Sequence, residues 1–204
     1  MRILLYSLVV SCISISAMQA GGNFSFEGTF LADDDVQLFD FTLLTDSTVT
    51  FHSYGYAGGT NAASNTISPG GFDGLLTWFG SDGSQIGSQD DGGCGNVNSF
   101  HGVCPDPFFS GSLTAGTYTL ALTQSPNGPA GTLSDRFVLQ GQSNFWGCGT
   151  FCDGFGNQDN GNWAVDILNV NSAAAVSATP EPATLLLAGC GVALLGLARR
   201  RRAS

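Results

Sequence analysis

The chain has no lysine. All six of its basic residues are arginines, and five of them, Arg2 and Arg199 to Arg202, stand at the two ends, which leaves Arg136 as the only one between residues 21 and 179. Over that stretch fifteen acids face one base, a net charge near −14. A surface that holds nucleic acid or another anionic polymer needs clustered cations, so those are poor partners and cations are better ones. A Gly-Lys-Ser/Thr phosphate loop is absent along with lysine. Histidine is scarce too: His52 lies in a strand-like run and His101 lies between two cysteines. Neither stands in a recognisable nucleophile context, and no His-Glu-x-x-His zinc helix occurs. Between the two ends no stretch carries the apolar period of an amphipathic helix.

Both ends address export. Met1-Arg2 is a positive start, Ile3 to Ile15 an apolar run, and Ser16 to Ala20 a stretch with small residues suited to cleavage. Together they read as a signal peptide over residues 1–20, handled by the Sec export machinery. Met18 is an imperfect residue three places before the cut, so an uncleaved anchor is the alternative. At the other end come Pro180-Glu181-Pro182, then the uncharged run Ala183 to Ala198, then Arg199, Arg200, Arg201 and Arg202. The prolines mark a joint. The run over 183–198 reads as a transmembrane helix, a little shorter than the ~20 residues that span a bilayer core comfortably. The four arginines hold its end on the cytoplasmic side.

The order of those parts, from Thr179-Pro180-Glu181-Pro182 through Leu185-Leu186-Leu187 to the arginine block, resembles the PEP-CTERM sorting signal. The resemblance implies recognition by an exosortase, a membrane protease-transpeptidase, with cleavage near Pro-Glu-Pro. It also implies an exported protein of a Gram-negative cell that makes exopolysaccharide, in a biofilm setting. The expected path is an inner-membrane-anchored precursor, then the cell surface or extracellular matrix. The domain plan is a signal peptide over 1–20, an ectodomain over 21–172, a linker over 173–179 and the sorting signal over 180–204.

The ectodomain reads as strand and turn. Val36 to Leu44 alternates, with Phe39, Phe41 and Leu43 on one face and Asp40 and Thr42 on the other. Thr48 to Tyr54, Leu75 to Phe79, Thr117 to Thr123, Asp135 to Gln140 and Asn162 to Val170 repeat the pattern. Turn clusters such as Ser81-Asp82-Gly83-Ser84 and Asp90-Asp91-Gly92-Gly93 separate them. The expected fold is all-β, a two-sheet antiparallel β-sandwich of jelly-roll-like form, with a barrel as the alternative.

A second resemblance covers roughly Leu31 to Thr123. Leu31-Ala32-Asp33-Asp34-Asp35-Val36, Phe72-Asp73-Gly74-Leu75, Asp82-Gly83-Ser84 and Leu113-Thr114-Ala115-Gly116-Thr117 are similar to segments of bacterial pre-peptidase C-terminal domains. The resemblance implies a β-sandwich, of a kind that in some members binds calcium. Insertions at Gly55–Pro69 and Cys94–Asp106 depart from that family. The Tyr-Ala-Gly-Gly-Thr-Asn motif, Tyr56 to Asn61, resembles a group of uncharacterised PEP-CTERM proteins and implies no activity.

Four cysteines fall in the ectodomain, and an even count in an exported chain reads as disulfides. Of three pairings, Cys94–Cys104 and Cys148–Cys152 are favoured because each brackets a glycine-rich loop; zinc on Cys94, His101 and Cys104 is the competing reading. Cys12 and Cys190 lie in the apolar end segments. Calcium suits a carboxylate-rich chain, since it takes several oxygen ligands from loops. The candidate donors are Asp33, Asp34, Asp35, Asp73, Asp90 and Asp91, with Asn157, Asp159 and Asn162 as a second polar loop. Tyr54, Tyr56, Phe145, Trp146, Phe151 and Phe155 lie in or beside Gly/Asn-rich segments and would form a glycan platform if exposed in one plane, or core if buried. The ranking that follows is a non-catalytic structural or adhesive protein associated with exopolysaccharide, then a calcium- or glycan-binding module. Third is a secreted hydrolase working through paired carboxylates.

Overall fold

The computed structural model of the chain describes residues 21–92, 102 and 105–176. The expected signal peptide, the sorting tail with its transmembrane helix, and Cys94, His101 and Cys104 lie outside the described residues. Within them the regular structure is eleven strands and one 3-10 turn, Leu133–Asp135. No helix there is long and apolar enough to cross a membrane.

The strands are β1 (Gly22–Thr29), β2 (Gln37–Leu43), β3 (Ser47–Ser53), β4 (Gly59–Thr60), β5 (Thr66–Ile67), β6 (Gly74–Gly80), β7 (Gln85–Gln89), β8 (Phe108–Leu113), β9 (Gly116–Gln124), β10 (Asn162–Val170) and β11 (Ser172–Val176). Two antiparallel sheets result, ordered β1-β10-β3-β8 and β11-β2-β9-β6-β7, with β4 and β5 as a separate hairpin. The pairing is nested. The β6–β7 hairpin is innermost, β3 pairs with β8, β2 with β9, and β1 with β10, so a long hairpin is rolled up with alternate strand pairs in opposite sheets. This is the jelly-roll sandwich, and the barrel alternative falls because the strands divide between two separate main sheets.

Period-two alternation places one face of each strand inward. Phe39, Phe41 and Leu43 of β2 and Leu120 and Leu122 of β9 are buried, as are Val49 and Phe51 of β3 and Val165 and Ile167 of β10. Their rings interlock across the sheets: Phe51 meets Phe41 at 5.4 Å, Trp78 at 5.5 Å and Phe109 at 5.5 Å between centroids. Gly28 of β1 is register partner to Trp163 of β10, and a Cβ on Gly28 would press against the indole ring well inside van der Waals contact. Gly28→Ala should therefore lower stability by ~1–3 kcal/mol through overpacking, read as a drop in the urea midpoint; an unchanged midpoint would refute the close approach.

Two sequence expectations need correction. Asp135 to Gln140 is not a strand. The segment carries the 3-10 turn at its start, and Phe137 with Leu133 packs on Phe79 and Ala121 to form a second small core. A single apolar anchor, not an alternating face, holds it there. The linker also begins later than expected, since residues 173–176 belong to β11, which pairs with β2 from Ser172↔Thr42 to Val176↔Leu38.

Candidate functional site

Most of the acids serve the fold. Asp33 is fully buried and accepts from the Asn144 amide at 2.6 Å and the Phe145 amide at 3.2 Å. Asp34 accepts from the Gly141 amide at 2.7 Å. Asp35 accepts from the amides of Leu31 and Ala32 at 2.7 and 3.0 Å. The triple-aspartate stretch thus latches the 141–145 loop and closes its own turn. Both side-chain oxygens of Asp33 and one each of Asp34 and Asp35 are taken up by these backbone donors.

The Gly55–Pro69 insertion folds over the outer face of the four-stranded sheet. Buried Asp166 of β10 accepts from Ser25 Oγ at 2.6 Å, Tyr54 Oη at 2.9 Å and the Ala62 amide at 2.8 Å. Buried Asp106 accepts from the amides of Tyr56 and Ala57 at 3.0 and 2.7 Å and from Ser53 Oγ at 3.3 Å. Burial nevertheless outweighs those bonds and pushes its carboxyl up to about 6. Tyr56 Oη donates to Asp153 at 3.0 Å, and Asn61 Nδ2 donates to Glu27 at 2.8 Å. The Tyr56-to-Asn61 motif is therefore a clasp, with its glycines fitting the bend; Gly58 has φ +70°.

At the end of the sandwich where β6 begins and β9 ends, a second acidic group gathers. Asp73, Asp90, Asp91, Asp153 and Asp159 lie close enough for Asp73 to feel the other four. Loss of water raises the Asp73 carboxyl to about 8, helped by Asp90, Asp91, Asp153 and Asp159 in that order. Burial raises Asp159 to about 7, with Asp153 adding to it. Burial also raises Asp90, against the Ser125 hydroxyl. Asp153 goes the other way. Although burial opposes it, hydrogen bonds from Asn157, Tyr56 and the Phe155 amide hold its carboxyl below the ordinary range. Asp73, Asp90 and Asp91 were candidate donors from the sequence and Asp159 stood in its second polar loop; Asp153, from the same 141–161 loop, joins them.

Gln124 belongs with them. It is the last residue of β9, fully buried, and its Nε2 donates to the Cys152 carbonyl at 2.7 Å. Its Oε1 and Asp73 Oδ1 are shut off from solvent and accept no hydrogen bond. Period two, run on from Tyr118, Leu120 and Leu122, would have flagged Gln124 as a polar residue at an inward position. Among the described residues, no three His, Cys, Asp or Glu side chains meet closely enough to hold a metal by themselves.

The loop above this end carries the Cys148–Cys152 disulfide, with Cα atoms 5.9 Å apart. Its aromatic residues divide. Tyr56 and Phe151 are buried, and Phe151 stacks on Phe72 at 5.8 Å. Tyr54 is half-buried and bonded to Asp166. Trp146 and Phe155 are exposed, with Phe145 half-buried 6.3 Å from Trp146 at an angle of 52°. The six rings do not form one exposed plane. Of the second polar loop, Asn157 donates to Asp153 and Asn162 accepts from Thr29. His52 lies between the rings of Tyr54 and Phe108, at 4.0 and 5.2 Å. A groove of about 670 Å³ lies elsewhere, over the outer face of the five-stranded sheet, lined by Asp40, Thr42, Thr117, Thr119 and Ser134 among others. Among the described residues, none that line it carries a buried side-chain atom without a hydrogen-bond partner.

Residues 178–202 match the PEP-CTERM protein-sorting motif. The match covers the tail and not the sandwich. A tail of this kind marks an exported protein that is processed at the membrane by an exosortase. No curated protein matches the chain.

Proposed function

We propose that the sandwich is a non-catalytic surface or matrix module, delivered by its tail and retained among exopolysaccharide after exosortase cleavage. The observation that carries this reading is the sorting motif at 178–202, joined almost directly to the fold: β11 ends at Val176, four residues before Pro180. Sec export, an inner-membrane precursor and a surface or matrix product follow from that reading. A structural role is supported by the use of the buried acids Asp33, Asp106 and Asp166 as clasps for loops, and by the ring contacts that pack His52 against the sheet. A secreted hydrolase ranks below it.

The test is fractionation of the producing cell with and without its exosortase, alongside a chain in which Pro180, Glu181 and Pro182 are all alanine. The expected result is a shortened product at the surface or in the matrix, replaced by a membrane-bound precursor in both altered cases. An identical shortened product in the cell lacking exosortase would refute the proposal.

A binding role is the second reading, favoured by one location. Exposed Trp146 and Phe155 stand beside the acidic end, and Trp146 Nε1 donates to the Ser125 carbonyl at 3.3 Å while Ser125 Oγ contacts Asp90 at 3.3 Å. Rings next to hydrogen-bond acceptors suit a sugar, and gathered carboxylates suit a metal ion.

A further inference from the structure

We propose that the acidic end binds one calcium ion, with Asp73 Oδ1 and Gln124 Oε1 as side-chain ligands and the Asp159 carboxylate completing the side-chain set. The inference rests on the cation-binding reading above and names its ligands.

Two buried oxygens at this end lack a donor. An acceptor removed from water without a donor costs about 1–3 kcal/mol, and more when charged. Here two such atoms, Asp73 Oδ1 and Gln124 Oε1, belong to neighbouring chain segments. Gly74, which follows Asp73, is the register partner of Gln124, and the Ser125 amide donates to the Asp73 carbonyl at 2.8 Å. The amide of Gln124 cannot turn around to relieve its oxygen. The Cys152 carbonyl needs a donor, so Nε2 must face it, and Oε1 points the other way. Cys152 is adjacent to Asp153, and the Asp159 amide donates to the Phe151 carbonyl, so the Gln124 amide ends among the acids of the 151–159 segment.

What satisfies both orphaned acceptors at once is a group that only attracts oxygen. Arg136 is the only arginine between residues 21 and 179, and it precedes Phe137, whose ring packs on the opposite face of β9. Calcium takes six to eight oxygens at flexible geometry and accepts carboxylate, amide and backbone carbonyl alike. Magnesium asks for a near-ideal octahedron, and zinc prefers nitrogen and sulfur. The mixed donor set explains why three acids need not converge here. Asp90, Asp91 and Asp153 supply negative potential around the ion without having to touch it. The Asp33–Asp35 stretch, in which each carboxylate already accepts from at least one amide, stays outside the site.

The experiment uses the full-length protein in detergent, stripped with EDTA and titrated with calcium chloride alone near pH 7.5. Saturating calcium should raise the melting temperature by about 5–10 °C. Terbium should emit when the protein is excited in its tryptophan band, calcium should quench that emission by displacement, and Trp146→Phe should dim it without weakening calcium. Asp73→Asn and Gln124→Leu should each weaken calcium at least about tenfold, while Asp33→Asn lowers stability and keeps calcium affinity. Asp73→Asn removes charge from a crowded acidic site, so the variant folds. No melting shift and no terbium emission would overturn the cation reading altogether. Calcium bound at full strength by both Asp73→Asn and Gln124→Leu would overturn this ligand assignment alone.

Discussion

Phe51→Ala is expected to remove ~3–5 kcal/mol of folding stability, the range for deleting a large buried ring. Phe51 has no exposed surface and lies in β3, an interior strand of the four-stranded sheet. Its ring touches Phe41 of β2 and Trp78 of β6, both in the opposite sheet, and Phe109 of β8 in its own. A buried aromatic side chain removes roughly 150–250 Å² from water, worth about 4–6 kcal/mol at ~25 cal/mol per Å². Alanine leaves a cavity that four strands would have to move together to fill. Domains of this size hold only about 5–15 kcal/mol in total, so the variant should sit near the edge of folding. Phe155, 66 % exposed in the 141–161 loop, supplies the contrast: Phe155→Ala should change stability by less than ~0.5 kcal/mol. Urea unfolding of the two chains checks both figures. A Phe51→Ala cost below ~1 kcal/mol would mean that the two sheets do not share one core.

The same core explains which strands the sequence announces. The alternating runs at Val36–Leu44, Thr48–Tyr54, Leu75–Phe79, Thr117–Thr123 and Asn162–Val170 correspond to β2, β3, β6, β9 and β10, the interior strands of the two sheets. Besides the short β4–β5 hairpin, the strands missed by periodicity are β1, β8, β7 and β11, the four edges of the two main sheets. An edge strand packs against fewer neighbours, so fewer of its residues need to be apolar. In β8 the inward positions are Phe109, Gly111 and Leu113, and the Phe109 ring occupies the space a Gly111 side chain would need. In β11 the residues are Ser172, three alanines and Val176, too small to show a period. The acidic end was half legible for a related reason. Asp73 and Asp90 border strands and look like turn acids, and Asp159 was set apart in a second polar loop, whereas Asp153 sits in a Gly/Asn-rich stretch where aspartate is ordinary. Only the fold brings that loop to the start of β6. The clasp residues Asp106 and Asp166 were equally hidden, because an isolated aspartate next to a proline or within a strand carries no pattern.

Stability of the metal-stripped protein should fall as pH rises from about 5 to about 8, the reverse of the usual behaviour of a carboxylate-rich protein. The cause is three buried carboxyls whose folded pKa lies above the ordinary 3.8: Asp106 at about 6, Asp159 at about 7 and Asp73 at about 8. Burial leads in each case; Asp153 adds to it at Asp159, and Asp90, Asp91, Asp153 and Asp159 add to it at Asp73. Between pH 3.8 and these values the folded chain holds protons that the unfolded chain has released, so each rise in pH disfavours the fold. Their contribution is complete below about pH 4 and is lost as pH climbs through 6, 7 and 8. Asp82, Asp135 and Asp153 act in the opposite sense, since hydrogen bonds hold their carboxyls low and their contribution disappears only as pH falls below the ordinary carboxylate range. The optimum in EDTA should therefore lie near pH 4–6, with a loss on the order of a few kcal/mol by pH 8. Urea midpoints at pH 5, 6.5 and 8 measure it, and Asp73→Asn should flatten the upper part of the curve by removing the group that titrates last. Calcium gives the decisive comparison. An ion at Asp73 and Asp159 favours the charged carboxylates, so it should restore stability at pH 8 and do little at pH 5, where protons compete for the same oxygens. A midpoint in EDTA that rises steadily from pH 5 to pH 8 would show that these carboxyls are ionised and solvated in the folded chain, and the acidic end would then be ordinary surface.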